Sequence, residues 1–403
     1  MKRYLALILC LCLCLGLCAC RDKEEETPAP SPSVQPSQAV GEDVKVDFLP
    51  DNEIDVIQEV MGFSGDYPLL TVEGQPISAQ VYLYWLGNIT SYYEMMLAYG
   101  GEEMDLAEEL EPGVTWDSQL KKIAYNNTVL MTLTEDLAEE YGVSLSAEDV
   151  RELASNRAAN IESAGGEEMY AYQRQAMGIN DSTAFQLDKI GTLFGKVRDA
   201  YVEKAEVSDE AVAAYVEEND ILRAKHILLL TRDMSTGEDY DEEKKAQQKA
   251  KADDLLAQLR EDPTKFDELM NANSEDSGLA QNSDGYTFTA GEMVSEFEEG
   301  TRALAYDEIS EVIKSDYGYH IILRLDPDSQ ELRQTVAGEE FDDMTQARID
   351  TAQVTTTPEY DALTTQDYYP KLVEFQQELE APTVDESRAS LQPDESPAPS
   401  SES

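Results

Sequence analysis

The chain is 403 residues long and 41% hydrophobic, enough to bury a core in two or three domains. It carries 83 acidic side chains against 30 basic ones, for a formal net charge of −53. That balance excludes nucleic acid as a partner, repels anionic membrane surfaces, and suits contact with cationic or unfolded chains as well as plain solubility.

Lys2 and Arg3 precede the apolar run YLALILCLCLCLGLCA and then Cys20. The run is shorter than the ~20 residues a membrane-spanning helix needs. A basic start, a short apolar centre and small residues before a cut read as a secretory signal peptide over residues 1–19. Leu17 to Cys20, LCAC, resembles the lipobox of bacterial lipoproteins. That resemblance implies cleavage before Cys20 and a lipid on its sulfur; an ordinary signal cut nearby is the alternative. Every cysteine falls at or before position 20, so the exported chain has no internal disulfide and no thiol nucleophile. Residues 20–45, rich in Pro, Ser and charge, read as a disordered tether, and residues 381–403 as a disordered tail.

Residues 46–220 read as mostly helical. LLTVEGQPIS is an opening strand with a turn at Glu73–Gly74. Apolar and aromatic residues at 81, 82, 85, 86, 89, 92, 93, 96 and 97 then follow a helical period with a wide aromatic face. Tyr82, Trp85, Tyr92 and Tyr93 on that face are either client-groove residues or ordinary core. A second long helix ends at Gly142, and Ser146 with an acid three residues on signals the start of a third. STAFQLDKIGTLFGKVRDAYVEKA is another, and Ser208 caps a short one.

The texture changes near Ile221. ILRAKHILLLT reads as a strand and DEEKKAQQKAKADDLLAQLRE as an amphipathic helix. Asp262–Pro263 places an N-cap before a proline and opens a short helix. After a turn-rich loop come the strand YTF, a helix over VSEFEEGTRALA, and the strands EISEVIK and YGYHIILRL. The order β-α-α-β-α-β-β predicts an α+β domain whose small sheet is covered by helices, over residues 221–326. Residues 327–380 turn helical again.

His226 and His320 are the chain's two histidines, and each begins an apolar, β-branched run. They read as core residues satisfied by backbone, as metal ligands, or as a pair across neighbouring strands. A structural zinc site wants four ligands with Cys or clustered His spacing, which this chain lacks, so neither metal nor cofactor is expected. If the strands are neighbours, the rings meet at one end of the sheet, near the loop carrying Asp276.

AKHILL, NSEDSG, DGYTFTAGEMVSEFEEG, EIS and DYGYHIILR, in that order and spacing, resemble the parvulin class of peptidyl-prolyl cis-trans isomerases. The resemblance implies that His226 and His320 stand back to back in the active site. Asp276 falls at a position that is Cys or Asp in the family, and Ser315 at a small hydroxyl in the same network. Met293, Phe297 and Phe288 match the apolar shelf that receives the proline ring. The sequence departs at residues 282–286, where Asn-Ser-Asp-Gly-Tyr stands for the Gly-Gly-Asp-Leu-Gly of many relatives. Gly285 takes the bulky position, and Tyr286 is expected to fill the substrate pocket in its place. The loop after the first strand holds Arg232 among six acids, so no preference for phosphorylated Ser–Pro or Thr–Pro is expected.

The lipobox, the helical segment opening on TVEGQPIS, the parvulin-like domain and the return helix together resemble the PrsA-like foldase lipoproteins. Their helical part is similar to the chaperone domains of the SurA and trigger-factor type. The implied architecture is a parvulin-like domain inserted in, or following, a mostly α-helical chaperone domain. The implied function is a foldase, lipid-anchored on the extracytoplasmic face of a bacterial membrane, that binds unfolded or partly folded secreted proteins and isomerises their X–Pro bonds. A non-catalytic holdase with an inactive parvulin domain is the alternative. A solute-binding lipoprotein would require a two-lobed α/β repeat that the pattern lacks.

Overall fold

A computed structural model describes residues 44–51, 54–379 and 381. The signal peptide, Cys20, nearly all of the tether and nearly all of the tail lie outside the described residues. Among the described residues no helix is long and apolar enough to cross a membrane. The chain divides into two compact units: the part up to Tyr201 together with the part from Phe341 onward, and Val202–Glu340 between them in sequence.

The first unit opens with α1 (Val56–Met61), β1 (Pro68–Val72) and β2 (Gln75–Ser78). Glu73 and Gly74 both have positive φ, 48° and 81°, and close a tight hairpin between β1 and β2. Helix α2 (Ala79–Tyr99) follows, then the small hairpin β3 (Glu109–Glu111) and β4 (Val114–Thr115), then α3 (Trp116–Tyr141). Thr115 and Ser118 form a reciprocal capping box at the start of α3, and Gly142, at φ 67°, ends it. Ser146 and Asp149 cap α4 (Ala147–Ala164) in the same way. Helices α5 (Glu167–Ala176) and α6 (Asp181–Lys204) complete this stretch. Two aromatic residues considered for a client groove are core instead. Tyr82 is fully buried, and Trp85 is buried with its indole N–H on Met131 Sδ at 2.9 Å.

The second unit begins with α7 (Asp209–Glu218), whose Val212 packs with Ile221 and Leu332. Next come β5 (Leu222–Leu230), α8 (Glu242–Glu261), a 3-10 turn at Pro263–Lys265, α9 (Phe266–Asn273), β6 (Tyr286–Phe288), α10 (Ser295–Arg302), β7 (Ile313–Lys314) and β8 (Gly318–Leu325). The four strands form an antiparallel sheet in the order β6-β5-β8-β7. Strands β5 and β8 pair along their length, from Arg223 opposite Leu325 to Leu230 opposite Gly318. Strand alternation then sorts the side chains. Ile227, Leu229 and Ile321 pack with Ala252, Leu255 and Leu259 of α8 and with Phe266 and Met270 of α9. Leu222, Ala224 and Ile322 face the other way, toward Phe288 and Phe297. Both faces are buried, which explains why these strands read as near-continuous apolar runs.

The strand expected over EISEVIK shrinks to Ile313–Lys314 with an isolated bridge at Ile309. Ser310 is the reason. Its own N–H donates to the Ile322 carbonyl, but its side-chain Oγ accepts from the Ile322 N–H at 2.8 Å, in the place of a main-chain carbonyl.

The chain returns to the first unit through α11 (Gln330–Thr351), then β9 (Val354–Thr356), α12 (Pro358–Ala362) and α13 (Thr365–Glu378). Strand β9 pairs antiparallel with β1, giving a three-stranded sheet β2-β1-β9. Phe341, Ile349, Tyr368 and Leu372 from this return join Leu69, Tyr82, Leu86, Leu120 and Val197 in one core.

Candidate active site

The two central strands of the second unit bring the histidines together. His226 lies opposite Ile322 and His320 opposite Leu228, so the rings sit on one face, on a diagonal between adjacent strands. They meet in the middle of that face rather than at an end of the sheet, because β5 starts four residues before His226. The ring planes are 14° apart with centroids at 5.3 Å, and the two Nδ1 atoms are 3.1 Å apart.

Asp276 reaches His226 from the loop after α9. Ser274 Oγ accepts from the Leu228 N–H at 3.1 Å, and the Glu275 N–H donates to the Leu228 carbonyl at 2.8 Å. Glu275 also accepts from the Leu230 N–H and the Gln248 amide, both at 2.7 Å. These bonds lash residues 274–276 to the edge of β5 and leave Asp276 Oδ2 3.1 Å from His226 Nε2. On the other side, the turn after β7 puts Ser315 Oγ 2.7 Å from His320 Nε2.

The electrostatics give this run one direction. Burial alone would raise the Asp276 carboxyl, but bonds from His226, Tyr286 and the Gly278 N–H outweigh it and hold the group at about 2. Burial, reinforced by the neighbouring His226 ring, pushes His320 down to about 3. At neutral pH Asp276 is therefore a carboxylate and His320 a neutral ring. In the arrangement with one proton on each ring, His226 Nε2–H donates to Asp276, which leaves His226 Nδ1 as an acceptor. His320 Nδ1–H donates to that acceptor, and His320 Nε2 accepts from the Ser315 hydroxyl. Ser315 Oγ in turn accepts from the Tyr317 N–H at 3.2 Å. Each donor along the run meets an acceptor.

The apolar side is equally well defined. Phe297 sets its edge against both rings, at 5.0 Å from His226 and 5.7 Å from His320. Phe288 packs on Phe297 at 5.6 Å, and half-buried Met293 joins the same cluster. Phe288 and Phe297 are both almost fully buried, and half-buried Met293 is the most exposed of the three.

Tyr286 has a role that sequence reasoning missed. It was expected to fill the pocket; instead its hydroxyl donates to Asp276 Oδ2 at 2.5 Å, the oxygen that His226 also uses. Burial and the carboxylate raise its phenol to about 12, so it stays a donor. Gly278 leaves the space this hydroxyl occupies. Gly285 has φ +108°, and a Cβ there would lie 2.9 Å from Leu325 Cδ1 and 3.1 Å from the Ala224 carbonyl oxygen. The backbone takes a path that excludes the bulk usual at that position, and the next residue reaches the carboxylate. The one sequence signal for this was the Gly–Tyr order itself.

Comparison with known proteins agrees with the geometry. Residues 226–326 match the family model for the rotamase, or PPIC-type PPIASE, domain. The chain is 26% identical over 231 residues to the foldase protein PrsA of Staphylococcus aureus, covering 56% of this chain and 68% of that protein. Among solved structures, PrsA from Bacillus subtilis is 21% identical, with 58% of this chain and 84% of that one covered, at a TM-score of 0.26. The parvulin of Nitrosopumilus maritimus is 31% identical over 26% of this chain and 96% of its own, at a TM-score of 0.20. The family match and the sequence similarity carry the assignment. Residues 226–326 are thus a parvulin-type peptidyl-prolyl isomerase domain, carried by a chain similar to the PrsA foldases.

Proposed function

We propose that this chain is an extracytoplasmic foldase, anchored by a lipid on Cys20, that isomerises X–Pro bonds in unfolded or partly folded secreted proteins. The observation that carries the catalytic part is the hydrogen-bonded run Ser315–His320–His226–Asp276 beside the shelf of Met293, Phe297 and Phe288.

The barrier to amide rotation is ~18–20 kcal/mol, and no bond needs to be made or broken to cross it. The planar amide is the more polar form, with charge delocalised from nitrogen onto oxygen; the twisted amide has lost that conjugation. A proline ring held against Phe297 and Met293 desolvates the planar amide more unfavourably than the twisted one. Asp276 carries the one negative charge of the run. A fixed negative charge beside the substrate carbonyl disfavours the planar form, whose oxygen is more negative. Ser315, His320, His226 and Tyr286 hold that charge in place; none acts as a nucleophile.

A second reading, a non-catalytic holdase, is favoured by Gly285, which removes a pocket wall that many parvulins have. Protease-coupled turnover of an X–Pro peptide by the mature chain separates the two. Turnover that falls by about tenfold or more in His226→Ala and Asp276→Asn, with the fold intact, supports the isomerase. Absence of wild-type turnover, alongside suppression of client aggregation, supports the holdase. Release of the protein from membranes on Cys20→Ser tests the anchor.

A further inference from the structure

Helix α2 carries apolar residues along one face, Val81 and Tyr84 in its first half and Tyr92, Met95 and Tyr99 in its second, with Asn88 between the two groups. Its first half is covered: Val81 and Tyr84 pack against Ile179, Ala184 and Leu187. Its second half is not. Tyr92 is 44% exposed, Met95 61%, Met96 51% and Tyr99 94%. These are four of the largest exposed apolar side chains in the described residues, and they lie within two turns of one helix.

The surroundings of this patch select its partner. Between Lys45 and Lys121 the sequence contains no basic residue and fifteen acidic ones. Glu102 and Glu103, both exposed, follow Tyr99 after Gly100 and Gly101, with Glu102 N–H bonded to the Leu97 carbonyl, and Asp105, Glu108, Glu109 and Glu111 are exposed in the segment beyond. The patch also lies at the C-terminal end of a 21-residue helix, where the backbone dipole is negative. A second copy of the chain would bring the same acids, and an anionic lipid surface would be repelled as well. What complements this surface is a segment that is both apolar and basic. Methionine suits such a partner because its flexible, polarisable side chain adapts to many shapes.

We propose that Tyr92, Met95, Met96 and Tyr99 form a docking surface for short apolar segments of unfolded client chains that also carry Lys or Arg. This rests on the foldase reading above and adds to it the chemistry of the client segment.

The test uses the mature chain and fluorescent peptides of Leu/Lys, Leu/Glu and Ser/Lys composition. The variant replaces Tyr92, Met95, Met96 and Tyr99 by Gln, which keeps helix propensity, and circular dichroism checks its fold. The Leu/Lys peptide should bind the wild type, weaken at high salt, and lose about tenfold or more in affinity to the variant. The Leu/Glu and Ser/Lys peptides should bind the wild type about tenfold more weakly. X–Pro turnover of a short peptide should be the same in variant and wild type. Equal binding of Leu/Lys by variant and wild type, or equal binding of Leu/Glu and Leu/Lys, overturns the inference. So does a wild-type dimer that the variant turns into a monomer. If either result comes with intact X–Pro turnover and client protection, the foldase reading survives and the docking surface does not. Loss of both turnover and protection in the wild type removes both readings.

Discussion

His226 and Tyr286 both donate to Asp276, His320 stands behind His226, and the protonation of His320 and Asp276 makes the isomerase domain sensitive to pH. His320 is held neutral in the fold, with its pKa lowered to about 3. Unfolded, its ring takes a proton near pH 6.5. Between those values the unfolded state binds more protons, so stability falls as pH drops through that window. Asp276, lowered to about 2 from the 3.8 of an ordinary aspartate, adds a further loss between those two values, with the same sign. We expect the domain to lose about 2 kcal/mol between pH 6.5 and 5, read by urea unfolding. His320→Gln should flatten that slope. Tyr286→Phe removes one of the two side-chain donors to Asp276 Oδ2 while keeping the ring. X–Pro turnover should fall by about tenfold or more, in line with the ~1.5–3 kcal/mol of a hydrogen bond to a charged group. Unchanged turnover would reduce Tyr286 to a packing role.

Among the elements, the short strand β6 shows how local backbone decides which side chain enters the site. Gly285 precedes it with a φ that favours glycine and with Leu325 and the Ala224 carbonyl in close approach. Restoring the bulk seen in many relatives with Gly285→Leu should therefore not repair a pocket wall. It should cost ~1–3 kcal/mol of stability from backbone strain and crowding, measured by thermal or urea unfolding, and lower turnover. A gain in turnover without loss of stability would show that β6 can take the relatives' backbone path. The tie between β5 and residues 274–276 works in the same way: Ser274 Oγ accepting from the Leu228 N–H, and the Glu275 N–H donating to the Leu228 carbonyl, determine where Asp276 stands.

At the scale of the whole chain, the first unit closes on itself across almost its entire length in sequence. Strand β1 pairs with β9, and Tyr368 of α13 is fully buried in the core built by α2 and α3. Tyr368→Ala should cost ~3–5 kcal/mol in the stability of this unit. The Tyr368 hydroxyl has no hydrogen-bond partner among the described residues. Tyr368→Phe should accordingly be neutral or stabilising, by up to ~1–3 kcal/mol. Denaturant unfolding of both variants, followed by far-ultraviolet circular dichroism, checks the pair. A strongly destabilised Phe variant would mean that the hydroxyl is satisfied.

Much of this protein was legible in its sequence because the signals were local. Ser146 with Asp149, and Gly142 after a long periodic run, mark helix ends through contacts only a few residues apart. The β5 and β8 runs read as strands because both of their faces are buried. Pairing the histidines with Asp276 and Ser315 rested on a family resemblance, since nothing local in HILLL or HIILRL says which strand lies next to which. The rest depended on distant contacts. Ser310 could not be read as a strand-breaker, because its partner Ile322 lies twelve residues away. Strand β9 is three residues long and is a strand by virtue of pairing with β1. Tyr82 and Tyr92 carry the same side chain on one helix; whether each is buried depended on what the rest of the chain laid over it. Tertiary structure alone turned Tyr286 toward a carboxylate ten residues away, because the choice between pocket wall and hydrogen-bond donor is made by the backbone path at Gly285 and by the space left at Gly278.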